Sequence, residues 1–189
     1  MRYTKVLLLF LLVLSACAPR SFLPMKESLK DEPAWRMIIA GKGEAYVYKE
    51  NAWQRTERFD YEFIVAERDI EGGWEAVKEI HRRHPDFPRW AGKRDMALYF
   101  KVAKKSDTEF EVQCPFGNGT GRSDAGGNNV VMEIAAKASA PFNAIRITQR
   151  FDREGGTLSE TVELFKKKKD GTEEPFIKIE EAGVIYLPK

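Results

Sequence analysis

The stretch NAIRITQRFDREGGTLSETVELFKKK, residues 143–168, can be folded back on itself from its letters alone. Ile145, Ile147, Gln149 and Phe151 alternate with polar residues. After the turn-like Arg153-Glu154-Gly155-Gly156 come Leu158, Glu160, Val162 and Leu164 at the same spacing. An antiparallel register about that turn sets Phe151 opposite Leu158, Ile147 opposite Val162 and Ile145 opposite Leu164. It also sets Arg146 opposite Glu163 and Thr148 opposite Thr161 on the other face. A slip of one residue would spoil both faces at once. One pair on the apolar face is polar, Gln149 opposite Glu160.

Downstream, Lys169-Asp170-Gly171-Thr172 is a two-residue hairpin signal. It pairs Leu164 with Ile177 and Val162 with Ile179, and it completes an outer row of Arg146, Glu163 and Lys178. Val184 to Leu187 reads as a last short strand. Upstream, Val130, Met132, Ile134 and Ala136 alternate before a turn at Pro141, and residues 117–129 read as a long polar loop. Met96, Leu98, Phe100 and Val102 pair across a short loop with Phe110, Val112, Cys114 and Phe116, with Lys101 opposite Glu111 outside. From Gly43, a turn at Glu50-Asn51 sets Tyr48 opposite Trp53, and Phe59, Tyr61, Phe63 and Val65 share a face.

One segment changes period. Trp74, Val77, Ile80 or His81, and His84 fall at helical spacing after Gly72-Gly73, and Pro85 ends the run. This predicts one amphipathic helix of about three turns near 73–84. The expected fold is all-β: an antiparallel meander of about nine strands, coiled into a barrel or half-barrel with that helix against it. The pattern loosely resembles the calycin-type barrels, the lipocalin and fatty-acid-binding-protein group. The resemblance is architectural. The lipocalin glycine-x-tryptophan start is missing, since Gly73 and Trp74 are adjacent.

The amino terminus carries a separate message. Arg2 and Lys5 precede an apolar run, Val6 to Leu14, that is too short to span a bilayer. Leu14-Ser15-Ala16-Cys17 resembles the lipobox of bacterial lipoproteins. The resemblance implies a signal peptide at 1–16, lipidation of Cys17 and a place in the cell envelope. Ala18, where an inner-membrane signal would carry Asp, favours the outer membrane. Residues 17–42, with Pro24 and Pro33, then read as the lipidated cysteine and a tether, and 43–189 as a single domain.

Charge excludes one class of partner. The chain holds 31 Lys and Arg against 29 Asp and Glu, and removing Arg2 and Lys5 with the signal leaves 29 against 29. A nucleic-acid binder needs a net basic footprint, so no nucleic-acid partner is expected. With Cys17 acylated, Cys114 is the one remaining thiol, so no intramolecular disulfide forms.

No constellation points to catalysis. His81 and His84 with Asp86 have a spacing that suits a helix surface better than zinc, and Arg82 and Arg83 crowd them with positive charge. Gly117-Asn118-Gly119-Thr120-Gly121 lacks the following helix that a phosphate cradle needs, and Asp124, Asn128 and Asn129 lack the order of a calcium loop. Lys166–Lys169 is offset by Asp170, Glu173 and Glu174 and reads as a solvated turn. Cys114 sits among apolar residues as an inert thiol. No metal or cofactor is expected, and no enzyme.

What remains is an aromatic inner face with one polar pair in it. The leading expectation is a bilayer-anchored binding domain for an apolar or amphipathic ligand, with Gln149, Glu160, Tyr46, Tyr48, Phe100 and Phe110 as candidate contacts. The alternative is an assembly accessory that binds another envelope protein through its sheet face or edge. A connected cavity above about 300 Å3 favours the first and a filled interior with an exposed apolar patch the second. If Glu160 contacts a ligand, Glu160→Gln is expected to weaken binding while leaving the melting temperature nearly unaltered. Cys17→Ser is expected to release the chain from the membrane fraction and to block cleavage before residue 17, and a variant still processed and membrane-bound refutes the lipobox.

Overall fold

A computed structural model describes residues 35–83, 96–168 and 170–187. The signal segment 1–16, Cys17, His84, Asp86 and Lys169 lie outside the described residues. The described residues form ten strands: β1 Trp35–Lys49, β2 Ala52–Ile70, β3 Gly73–Arg83, β4 Met96–Lys104, β5 Glu109–Cys114, β6 Gly117–Ser123, β7 Asn129–Ala136, β8 Ala144–Asp152, β9 Thr157–Lys167 and β10 Glu173–Tyr186. Each pairs antiparallel with its sequence neighbours, and β1 pairs with β10 to close the sheet into a barrel. The meander and the barrel are as expected. Closure is complete, so the half-barrel is set aside.

The anchoring hairpin has the expected register throughout, from Ala144↔Phe165 to Asp152↔Thr157. The next one follows, with Leu164↔Ile177, Glu163↔Lys178 and Val162↔Ile179. Its register shifts between Pro175 and Ile177, where proline has no N–H to give the ladder. Tyr48 stands opposite Trp53 across a two-residue turn in which Glu50 and Asn51 both have positive φ, 52° and 59°. That backbone twist matches the twist of the strands it joins.

Four expectations need correction. Residues 73–83 are β3, not a helix. Trp74, Ala76, Lys78, Ile80 and Arg82 face the interior, so two long charged side chains occupy inward positions and mask the period of two. Residues 117–123 are β6 rather than loop, bringing the strands to ten. β1 begins at Trp35, inside the stretch read as tether up to residue 42. Finally, Lys101 lies opposite Gln113, while Ala103 lies opposite Glu111. A slip of two keeps every side chain on its own face, so polarity alone could not detect it. Glu111 instead meets Lys105, at 2.9 Å.

The wall is apolar inside and polar outside. On β5, Phe110, Val112 and Cys114 are buried while Glu109, Glu111 and Gln113 are exposed. A transmembrane β-barrel carries its apolar band on the outer face, the opposite arrangement. Inside, β6 offers Gly117, Gly119 and Gly121, opposite Cys114, Val112 and Phe110, and then Ser123 at its end. A Cβ on Gly121 would strike the Phe110 ring, and one on Gly119 would strike the Glu133 carbonyl of the neighbouring strand. The ring can turn aside and the backbone cannot. Gly119→Ala is therefore expected to destabilise by roughly 2–3 kcal/mol and Gly121→Ala by roughly 1 kcal/mol, read from urea denaturation. Equal costs would mean that the column of glycines does not set the spacing of the wall.

Candidate functional site

Two apolar clusters line the barrel. One gathers residues of β4 to β10, among them Val112, Ile134, Ile145 and Leu164; the other gathers β1 to β3, with Ile39, Phe63 and Ile80, and takes Leu158 from β9. They do not fill the interior. A cavity of about 420 Å3 runs between them, with walls far more apolar than polar. At one end it reaches the hairpin loops through Ser106, Asp107 and Gly127. At the other, Phe116 and Phe142 stack edge to face with centroids 5.7 Å apart and form a floor.

The loops at the open end are held by side chains. The Asp124 carboxylate accepts bonds from the backbone N–H groups of Asn128 and Asn129, at 2.7 and 3.2 Å, and from Asn129 Nδ2 at 2.6 Å. Arg153 donates to the Gly126 carbonyl at 2.8 Å, tying the 124–128 loop to the neighbouring turn. The three polar residues weighed above for calcium thus form a capped turn.

Charge crosses the lumen in two places. Lys78 on β3 reaches Glu160 on β9, with Nζ 2.5 Å from Oε1, and Gln149 donates to the other oxygen at 2.6 Å. Arg82 on β3 reaches Glu181 on β10, with nitrogens 3.0 and 3.2 Å from Oε1. Glu160 and Glu181 are neighbours across β9 and β10, only 4% and 3% exposed. The cations also lie over rings of the second cluster: Lys78 Nζ is 3.7 Å from the Phe63 centroid and the Arg82 guanidinium 5.0 Å from that of Phe59.

Burial sets the protonation of this region. It pushes the Glu181 carboxyl above the usual range against the pull of Arg82 and Lys78, and nearby Glu160 adds to the rise. Burial, then the two carboxylates, raise the Tyr61 phenol well above its ordinary value. Glu67, on the wall, is raised by burial and next by Asp69. Burial also raises the Cys114 thiol, which keeps it neutral and unreactive.

Of the six candidate contacts, Gln149, Glu160, Phe100 and Phe110 line the cavity. Tyr46 and Tyr48 do not. Ala45 pairs with Glu57 but Tyr46 with Arg55, so Thr56 is an extra residue in β2. This bulge reverses the facing of everything before it, and the outward Tyr48–Trp53 pair is not continuous with inward Phe59 and Tyr61. Tyr46 instead donates its hydroxyl to Glu44, a bond that pushes the phenol up to about 12. Lys178 lies over the Tyr46 and Trp53 rings on the outer surface, at 4.5 and 5.3 Å.

Sequence reasoning missed Lys78, Arg82 and Glu181. Their signal was present: Lys78 and Arg82 keep even spacing with Trp74 and Ile80, and Glu181 stands four residues beyond inward Ile177. His81 faces outward, opposite Glu62.

No protein-family model matches this chain. No curated protein matches it either. Among solved structures, that of Rv2717c from M. tuberculosis is similar, with a TM-score of 0.50 and 15% identity, over 80% of this chain and 91% of that one. At that identity the likeness concerns the fold.

Lys78 alters the expectation for Glu160→Gln. The substitution strands a cation in an apolar wall, so a cost of roughly 3–5 kcal/mol replaces the small one inferred from sequence. Replacing both partners, Lys78→Met with Glu160→Leu, is expected to recover most of that loss in thermal unfolding. A double variant as unstable as the single one would show that no direct pair spans the lumen.

Proposed function

We propose that this chain is a membrane-anchored lipoprotein of the bacterial envelope whose barrel holds an apolar or amphipathic small molecule. The observation that carries the reading is the cavity of about 420 Å3. It lies within the range of small-molecule sites and shares their make-up, an apolar wall with a few placed polar groups. Ten strands make a ring too wide for side chains from opposite walls to meet everywhere.

The charges support it as well. Burying ion pairs costs desolvation, and a packed apolar interior of equal volume is often as stable or more so. Lys78, Arg82, Glu160 and Glu181 leave polar atoms beside open space, where a ligand's polar group would find partners. The lining includes carboxylates, cations and one amide, with no histidine among the described lining residues. Such a set suits recognition, and the anchor at Cys17 suits a ligand drawn from the envelope.

Mass spectrometry of organic extracts from the acylated protein, purified from its host, is expected to show a stoichiometric apolar compound. A fluorescent apolar probe is expected to be displaced by it. Val130 lines the cavity on β7, and Val130→Trp, which fills space there, is expected to weaken probe binding by about tenfold or more with the melting temperature little changed. Thr120→Trp, on the outer face of β6, is the control. Absence of binding in the native chain, or equal binding in both variants, would sink the proposal.

A further inference from the structure

The barrel has two unlike ends. The floor of Phe116 and Phe142 marks one. The other carries the turns at 71–72, 105–108, 124–128 and 153–156, and the cavity opens there past Ser106, Asp107 and Gly127. The chain enters β1 at Trp35 at this same open end, and β10 finishes there, with Ile38 opposite Tyr186 and Ala40 opposite Val184. Among the described residues, the large hydrophobic side chains left exposed are Val184, Tyr186 and Leu187, at 45%, 55% and 62%. They are two of the last residues of β10 and the residue that follows it, beside the strand that receives the chain from Cys17.

We propose that the open end of the barrel rests on the lipid bilayer, with Val184, Tyr186 and Leu187 seated in the interface, so that the cavity exchanges its occupant directly with the membrane. This rests on the anchoring reading of Cys17 and specifies the orientation that the anchored domain takes. Seventeen residues lie between Cys17 and Trp35. Fully extended they reach about 60 Å, so the acylated cysteine permits contact without imposing a direction. The apolar patch supplies the direction. It is too small to hold a protein on a membrane by itself, but an acyl anchor leaves it only the task of orienting a domain already held there. Tyrosine, with an apolar ring and a polar tip, suits the headgroup level. Charges at this end are mixed, with Asp69, Glu71, Asp107 and Glu154 beside Lys105, Arg122 and Arg153, so a zwitterionic surface meets no strong opposing field.

An apolar ligand gains from this geometry. Passage from bilayer to cavity through a mouth pressed on the interface avoids exposing the whole ligand to water. The alternative orientation, floor toward the membrane, would place the mouth in water and leave the patch exposed.

The test uses the acylated full chain in phosphatidylcholine–phosphatidylethanolamine vesicles, with acylation verified by mass and anchoring by flotation. A nitroxide is attached at Leu187→Cys or, at the opposite end, at Ala52→Cys; Cys17 is acylated and Cys114 is buried. The expected result is that the label at 187 is shielded from a water-soluble nickel quencher by about fivefold relative to the label at 52, with the reverse preference for oxygen. Equal exposure of the two labels on floating, acylated protein overturns the docking proposal while leaving the anchor intact. Failure to float or to carry acyl chains overturns the anchoring reading and this proposal with it. Shielding at 187 in native envelope membranes but not in pure lipid also overturns it, and assigns the patch to a protein partner. As a second readout, Val184→Ser with Tyr186→Ser is expected to slow transfer of a pyrene-labelled fatty acid from vesicles by about fivefold while its affinity in detergent stays the same. Unchanged transfer overturns the proposal.

Discussion

Glu160 and Glu181 stand side by side on neighbouring strands inside an apolar barrel, each met by a cation from β3. Two carboxylates at cross-strand distance repel each other, and burial adds a desolvation cost to each. Lys78 and Arg82 oppose both effects from across the lumen. Their reach is what makes the arrangement workable: each carries a long apolar stem that packs on the wall while the charged tip spans open space. The same two residues lie over Phe63 and Phe59, so aromatic faces share the charge with the carboxylates. The polar belt thereby divides the lumen into two apolar clusters and leaves the gap between them unfilled.

The wall that encloses this belt is built by subtraction as much as by packing. Three of the four inner positions of β6 are glycine, and the Phe110 ring lies over one of them. The Tyr61–Phe63 pair, with centroids 4.4 Å apart, packs the opposite side. Large rings therefore stand where neighbouring strands have no side chain, and the lumen is asymmetric. A ring of uniform medium-sized residues would have been rounder and fuller.

Much of this was legible in the letters, and the failures have physical causes. The β8, β9 and β10 registers were readable because both faces of each strand carry complementary residues, so only one pairing satisfied them. β6 was not readable because glycine carries no facing signal. Thr56 inverted the assignment of Tyr46 and Tyr48, since a bulge adds a residue without altering composition. β3 is the instructive case. The two charges that cross the lumen are what broke its alternating pattern, and accidental helical spacing of Trp74, Val77 and Ile80 filled the gap. The residues that organise the candidate site were thus the ones that hid the strand bearing them. Gln149 and Glu160, by contrast, were visible because their neighbours keep strict alternation and the polar pair stands out against it.

Closure of the sheet has a temporal side. The seam joins β1 to β10, pairing Ile38 with Tyr186 and Val47 with Ile177, so the first described strand waits for the last. The other ladders join consecutive strands and can form as local hairpins, quickly and in any order. The seam alone must bring together segments separated by nearly the whole domain, which makes it the entropically costly and slow step of folding. Until it forms, β1 and β10 present unpaired edges, and Glu181 on β10 is not yet held against Arg82. A chain made amino terminus first therefore passes through an open sheet whose inner face stays exposed to any apolar companion until the seam is paired.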